Sequence, residues 1–424
     1  MNLTKSILKA ILGFISIIFL IWGIFWSYLL FFGSRQLGGI LIFIEEFVAQ
    51  SSVLMVALCF SATIILLKIF ANKKRTNPKQ YYTIFSIGIL ITGLNSVSLL
   101  ATPFTIMKGD AEFNTAFGLN WRNEIPNHVK DKFLPLPYNL PSHFLTIPRD
   151  SVNVQKDILY YEGENITLYF DVYTPNGDPS ELPGNGSVII NLHPGAWSSG
   201  GKGTWNMIST SKYLAAQGYV VFDIQYGLIE WFQYAAPAPE TPENVLGNFT
   251  IEDQVRHIGI FTKRLANDFY MDYGANLDSV YFMGRSAGAH LSGVSGLGFN
   301  EDYHNDTFSD KIKVKGAIPL YPPSAAPEFL LKETKAENPE NYNAYNLSAL
   351  SDDEDPPVLI FQGWSDGQVE IEGILKLEKQ MEFSGVTTCL LEFPFAGHAS
   401  DFVLSTNIGQ VWIYYLERFL YITQ

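Results

Sequence analysis

The stretch Val280-Tyr281-Phe282-Met283-Gly284-Arg285-Ser286-Ala287-Gly288-Ala289-His290-Leu291 decides how the chain is read. Four apolar residues describe a short buried strand, and Gly-x-Ser-x-Gly follows immediately before a helical pattern. A strand that turns at once into a helix crowds its own backbone. The glycines on either side of the serine omit the β-carbons for which that turn has no room. Such an elbow lifts the Ser286 hydroxyl to the carboxyl edge of a sheet, in front of a helix N-terminus, a position that suits a nucleophile.

The surroundings of the elbow alternate between strand and helix. Val154–Tyr161 and Ile166–Tyr173 read as an antiparallel hairpin turning at Gly163-Glu164-Asn165. Apolar runs follow at Val188–Leu192, Tyr219–Ile224, Val280–Met283, Val314–Ile318, Val358–Phe361 and Cys389–Phe393. Helical patterns lie between them near 204–217, 250–269, 287–297, 370–384 and 406–421, the second preceded by a cap at Thr250-Ile251-Glu252-Asp253. This alternation predicts a mostly parallel sheet covered by helices on both faces, with ligands bound beyond the carboxyl ends of the strands.

Three loops at those ends carry chemistry. They are His193-Pro194-Gly195-Ala196-Trp197, Gln362-Gly363-Trp364-Ser365-Asp366-Gly367-Gln368-Val369 and Pro394-Phe395-Ala396-Gly397-His398-Ala399. Acyl transfer through a serine needs a base for the hydroxyl proton, a carboxylate to orient that base, and N–H donors for the tetrahedral oxyanion. Each requirement finds a candidate at a strand end, in the order Ser…Asp…His.

These residues resemble the α/β-hydrolase superfamily, in particular its esterase/lipase branch with a His-Gly-Gly-x-Trp loop. The similarity extends over about 155–424 and includes Asp171-Val172-Tyr173-Thr174-Pro175, Tyr219–Tyr226 and Ser286-Ala287-Gly288-Ala289-His290-Leu291. The resemblance implies Ser286 as nucleophile, Asp366 as acid and His398 as base. It also implies an oxyanion hole on the N–H groups of Gly195, Ala196 and Ala287. Pro194 departs from the pattern and cannot donate an N–H, so the two residues after it inherit that task. Among the alternatives, His290 is expected to pack on the nucleophile helix, His193 to shape its loop, and His304 to lie in a solvated loop. Asp352, Asp353 and Asp355 form an acidic loop before Pro356-Pro357. Arg285 is assigned to the surface or to a supporting role beside the site. Neither a metal site nor a cofactor motif is expected, for no His-Glu-x-x-His and no dinucleotide glycine fingerprint occurs.

The first part of the chain is of another kind. Apolar segments at about 10–32, 51–70 and 81–107 are each long enough to cross a bilayer as a helix. The first exceeds a signal-peptide core, and no small-residue cleavage site follows it. Leu37–Ala49, interrupted by Glu45 and Glu46, reads as interfacial or as an extension of the second helix. Residues 108–150, with Pro126, Pro135, Pro137, Pro141 and Pro148, read as a linker, and 151–424 as the catalytic domain.

Residues 1–107 carry eight Lys/Arg against two acidic residues, whereas 108–424 carry 20 basic and 40 acidic ones. Nucleic acid is therefore an unsuitable partner. The expected partners are a membrane and a small-molecule or lipid ester. Lys5, Lys9, Lys73, Lys74, Arg75 and Lys79 against the lone Arg35 place the N-terminus and the 71–80 loop in the cytoplasm. Everything after residue 107 is then extracytoplasmic, either lumenal or extracellular. Sequons at Asn165, Asn185, Asn248, Asn305 and Asn346 suit that side in a eukaryote. Cys59 and Cys389 lie in a membrane-type run and in a strand, so no structural disulfide is expected.

The expected function is that of a membrane-anchored serine carboxylic-ester hydrolase working through an acyl-enzyme. Gly227–Asn248, with Trp231, Phe232, Tyr234, Pro237, Pro239 and Pro242, and Tyr321–Leu350, with Phe329-Leu330-Leu331, are expected to wall an apolar pocket. Plant-type prenylcysteine methylesterases also share the loop, the Ser-Ala-Gly-Ala-His run and an N-terminal membrane region. Their substrate is cytosolic, however, in conflict with the derived orientation. An acyltransferase on the same residues and a non-catalytic binding domain are the remaining readings.

Overall fold

The computed structural model describes residues 3–33, 41–70, 77–145, 147, 151–230, 240–325 and 339–424. Arg35, Leu37, Lys73, Lys74, Arg75, Trp231, Phe232, Tyr234, Pro237, Pro239 and Phe329-Leu330-Leu331 lie outside the described residues. The N-terminal part comprises helices α1 (Leu3–Phe32), α2 (Leu41–Val48), α3 (Ser52–Phe70), α4 (Pro78–Asn95) and α5 (Val97–Phe117). Among the described residues, three helical stretches, Thr4–Phe32, Ser52–Phe70 and Pro78–Phe117, are long and apolar enough to cross a membrane. The last is α4 and α5 joined at Ser96, whose backbone keeps helical dihedrals, so the helix runs ten residues past Met107 into the expected linker.

The rest is built on eight strands: β1 (Val152–Gly163), β2 (Ile166–Pro175), β3 (Ser187–Leu192), β4 (Val220–Ile224), β5 (Asn276–Arg285), β6 (Val314–Leu320), β7 (Val358–Gly363) and β8 (Thr388–Phe393). Their order is β1-β2-β4-β3-β5-β6-β7-β8. Only β1–β2 and β2–β4 pair antiparallel; the five other pairings are parallel. This is the mostly parallel sheet of an α/β-hydrolase fold, as the alternating pattern predicts. The β1–β2 hairpin turns at Glu164 and Asn165, both with positive φ (53° and 63°), which matches the twist of paired strands.

Side chains alternate between the faces. Val188, Ile190, Phe222, Val280, Phe282 and Ile360 join one core with α7 (Ile251–Arg264), α8 (Ala287–Leu297) and α9 (Ile371–Ser384), which follow α6 (Trp205–Ala216) in the chain. Thr250 and Asp253 cap α7 reciprocally, each side chain accepting the other's backbone N–H. Ile189, Val221, Tyr281, Met283, Leu359, Phe361 and Leu391 face the other way, toward α6 and α10 (Asn407–Ile422). That second core does not stop at the sheet but continues into Leu20, Trp26 and Leu29 of α1, Cys59 of α3 and Phe113 of α5.

α5 makes the junction. Phe113 is fully buried, with ring centroids 5.0 Å from Trp121, 5.1 Å from Tyr415 and 5.4 Å from Phe117. Burying such a ring contributes about 1.5–3 kcal/mol. Polar residues in the same turns find partners on the neighbouring elements: Lys108 pairs with Glu392, Asp110 with Arg122, and the Tyr415 hydroxyl donates to Asp110 at 2.6 Å. Further along, Leu134 is tied to α10 through its N–H on Glu417 and its carbonyl on Arg418. Leu134 and Asn139, between Phe117 and β1, thus pack on the sheet's own helix.

At Gly109 a β-carbon would stand 2.7 Å from the Tyr415 ring and 3.1 Å from Leu391, whereas at Gly93 it would meet nothing within 4 Å. Gly109→Val should therefore lower the thermal midpoint of the detergent-solubilised protein, at a cost of about 1–3 kcal/mol. Gly93→Ala should leave it unchanged or raise it. Equal effects would show that α5 is not packed on β8 and α10.

Candidate active site

The elbow is as tight as its glycines require. A β-carbon on Gly284 would lie 2.1 Å from the Gly288 carbonyl oxygen, and one on Gly288 would lie 2.3 Å from that of Leu192. Ser286, between them, holds φ 53° and ψ −119°. That conformation costs a non-glycine residue about 1–3 kcal/mol, and it persists because the surroundings impose it. The Ser286 N–H donates to Leu320 at the end of β6 (3.0 Å), and the Ser286 carbonyl accepts His290 N–H in the first turn of α8 (3.0 Å). Ala287 opens α8, so its N–H has no preceding helical carbonyl to bond.

The loop after β3 approaches from the side. Gly195, Ala196 and Trp197 carry φ of 136°, 50° and 62° in succession. Gly195 is obligatory, since a β-carbon there would sit 1.9 Å from the Ser199 carbonyl oxygen. Its own carbonyl accepts Ser198 N–H, Ser199 N–H and the Ser199 hydroxyl (3.1, 2.9 and 2.9 Å). Pro194 does not disorder this turn: its carbonyl accepts His193 Nδ1–H at 2.9 Å. His193 is fully buried, stacked on Tyr226 at 4.3 Å, and accepts the Tyr226 hydroxyl on its carbonyl at 2.6 Å. Burial pushes the His193 pKa down to about 4, so the ring stays neutral and shapes the loop.

Asp366 and His398 meet at the ends of β7 and β8. His398 Nδ1–H donates to Asp366 Oδ2 at 2.8 Å, leaving Nε2 for chemistry. Asp366 Oδ1 accepts the N–H groups of Gln368 and Val369, both at 2.8 Å, while Gln362 Nε2 approaches Oδ2 at 3.3 Å. The two loops touch through backbone, for a β-carbon on Gly363 would lie 2.3 Å from the Ala396 carbonyl oxygen. Burial alone would lower the His398 pKa. The adjacent Asp366 carboxylate outweighs burial, with help from Glu46 and Glu45, and the value ends above the ordinary histidine one.

A buried network, invisible in the sequence, joins serine and histidine turns. Arg285, the last residue of β5, is fully buried, contrary to a surface position. Its Nε–H donates to Asp401 at 2.7 Å, and Nη2 donates to Thr210 at 3.1 Å. Asp401 also accepts the Tyr321 hydroxyl at 3.0 Å, and the Tyr321 ring lies 4.5 Å from that of His398. Tyr321 directly follows Leu320, which holds the Ser286 N–H. Arg285, Tyr321 and Asp401 carry no motif that sequence reasoning could recognise.

The other candidates separate from the site. His290 packs in α8 as expected, with Nε2 on the Tyr345 carbonyl at 2.8 Å. His304 is not solvated: it is buried, with Nε2 on the Ala344 carbonyl at 3.1 Å, so the polar residues around it misled composition. Asp352, Asp353 and Asp355 precede β7 at the opposite end of that strand. A cavity of about 520 Å³ opens at Ser286, lined among others by Ala196, Trp197, Pro322, Val369 and Ile374. Pro322–Ala325 is the described part of the second walling segment that reaches it.

A family model described as BD-FAE matches residues 170–381. The chain is similar to the probable carboxylic ester hydrolase LipM of Mycobacterium tuberculosis (strain ATCC 25618 / H37Rv), with 24% identity over 258 residues, covering 57% of this chain and 55% of that one. It thus spans about half the length of that curated relative. Among solved structures, esterase 2 of Thermogutta terrifontis phosphoramylated by tabun aligns with a TM-score of 0.47 at 20% identity, over 66% of this chain and 94% of that one. An inhibited esterase B from Lactobacillus rhamnosis aligns at 0.47 and 18%, over 64% and 85%.

Asp401→Asn would leave the buried Arg285 guanidinium without its countercharge, a loss of about 3–5 kcal/mol. The thermal midpoint should fall by several degrees. Asp278→Asn, which removes an exposed partner of Lys313, should leave the midpoint in place. Equal midpoints for the two variants would deny the network its structural role.

Proposed function

Because the chain belongs to the BD-FAE family, we propose that it is a membrane-anchored serine hydrolase of carboxylic esters. The observation that carries this reading is the His398–Asp366 pair at 2.8 Å, on loops beside a strained Ser286 that opens on an apolar cavity. In this reading His398 Nε2 takes the Ser286 proton as Oγ attacks the ester carbonyl. The tetrahedral oxyanion is held by N–H groups of Gly195, Ala196 and Ala287. His398 then returns the proton to the leaving alcohol, and water repeats the cycle on the acyl-enzyme. Asp366 holds the tautomer and stabilises the imidazolium. The substrate is a small-molecule or lipid ester whose apolar part occupies the cavity lined by Trp197, Val369 and Ile374. Residues 1–107 act as the membrane region, 108–150 as the linker and 151–424 as the catalytic domain.

Ser286→Ala should abolish hydrolysis of a short p-nitrophenyl ester by the full-length protein in detergent while leaving its thermal midpoint in place. His398 must be neutral to accept the proton, and its pKa is raised, so kcat/KM should decline as pH falls through a value above the ordinary histidine one. Undiminished turnover by Ser286→Ala would reject the reading.

The charge asymmetry of the N-terminal loops supports an extracytoplasmic hydrolase domain. Asn165, Asn185, Asn248 and Asn305 are exposed, whereas Asn346 is half-buried and caps a helical turn through Ser348 N–H. In a glycosylating host, endoglycosidase treatment should reduce the apparent mass, and Asn→Gln at the four exposed sequons should remove that shift. A cytosolic domain would show no shift at all.

A further inference from the structure

The N-terminal region does more than lie beside the sheet, because α2 reaches the loop that carries His398. Glu45 is seated against Gly397, where a β-carbon would stand 2.8 Å from Glu45 Cγ and 3.1 Å from its carbonyl oxygen. Gln50, just past α2 and 4% exposed, joins the two elements. Its Oε1 accepts Val403 N–H at 2.8 Å, while its Nε2–H donates to the Glu46 carbonyl at 2.6 Å and approaches that of Ala399 at 3.4 Å. Aromatic pairs flank this amide: Phe47 with Phe402 at 5.0 Å and Phe31 with Phe395 at 5.3 Å. The acid loop is held from the same side, where the Ser365 hydroxyl donates to the Leu30 carbonyl at 3.3 Å. Both catalytic loops therefore end on the membrane-side helices rather than in solvent.

We propose that α2 and Gln50 form a positioning element of the catalytic centre, with Gln50 fixing the His398 turn and Glu46 adding a second carboxylate to the field at that ring. The proposal rests on reading His398 as the base. Glu46 is buried and lies outside the membrane-length helices. Burial, with Asp366, Asp401 and Glu45 nearby, raises its pKa to about 7 against the pull of His398. Above that pH Glu46 is ionised and favours the imidazolium that forms when His398 takes the serine proton. His398 itself is faced by Asp366, Glu46 and Glu45, with Tyr321 against its ring.

The test uses the full-length protein in detergent and a p-nitrophenyl ester across pH. Gln50→Ala should lower kcat about ten- to a hundredfold with little change in KM, since a small displacement of the base costs turnover rather than binding. Glu46→Gln keeps the shape of the side chain and removes its charge. Its acid limb of kcat/KM should move to lower pH by about half a unit or more, a change that a purely structural role would not cause. His398→Ala separates the two readings. Activity that survives there overturns the base assignment and the proposal with it. Loss of activity there, with wild-type kcat in Gln50→Ala and an unmoved acid limb in Glu46→Gln, overturns the proposal alone. If Gln50→Ala fails to fold, the acid limb of Glu46→Gln decides.

Discussion

At Gly288 the first turn of α8 lies so near the end of β3 that a side chain would strike the carbonyl oxygens of both Leu192 and His193. This close approach sets the distance between the serine turn and the loop from Pro194 to Trp197. Neither segment adopts a relaxed backbone, since Ser286, Ala196 and Trp197 all hold positive φ. The cost is offset locally. The Trp197 carbonyl accepts Ile229 N–H at 3.1 Å and Gln254 Nε2–H at 2.7 Å, and the Gly195 carbonyl accepts three donors. A strained turn is thus held by ordinary hydrogen bonds at its base.

The histidines show how burial divides labour among identical side chains. His193 and His290 are both fully buried, and desolvation lowers each to about 4, so they serve as neutral spacers. His398 is nearly as buried, yet three carboxylates from two separate elements, the loop of Asp366 and α2, raise it. The difference lies in the company rather than in the depth.

The strand and helix pattern was legible wherever one face of an element is apolar and the other is not. α8 spans the 287–297 expected for it, because glycine, serine and small residues mark its start. The Ser286, Asp366 and His398 turns were legible for a related reason: each sits directly after an apolar run. The buried pair Arg285–Asp401 was not, because a charged side chain reads as exposed until its partner is known. α5 ran past its expected end because Lys108, Asp110 and Glu112 read as a departure from the membrane, while the structure gives Lys108 and Asp110 partners on the sheet side. α1 and α3 are apolar on every side, so no periodicity distinguishes the stripe facing protein from the rest. Glu45 and Glu46 therefore read as an interruption and not as neighbours of the His398 loop.

The joined helix α4–α5 is 40 residues long, about 60 Å at 1.5 Å per residue. A hydrocarbon core is only about 30 Å thick, so such a rod tilts or projects. Because its far end is packed on β8 and α10, the sheet keeps a fixed orientation to the rod. Were the rod to cross a bilayer, a change in bilayer thickness would tilt with it the sheet that is packed on its far end.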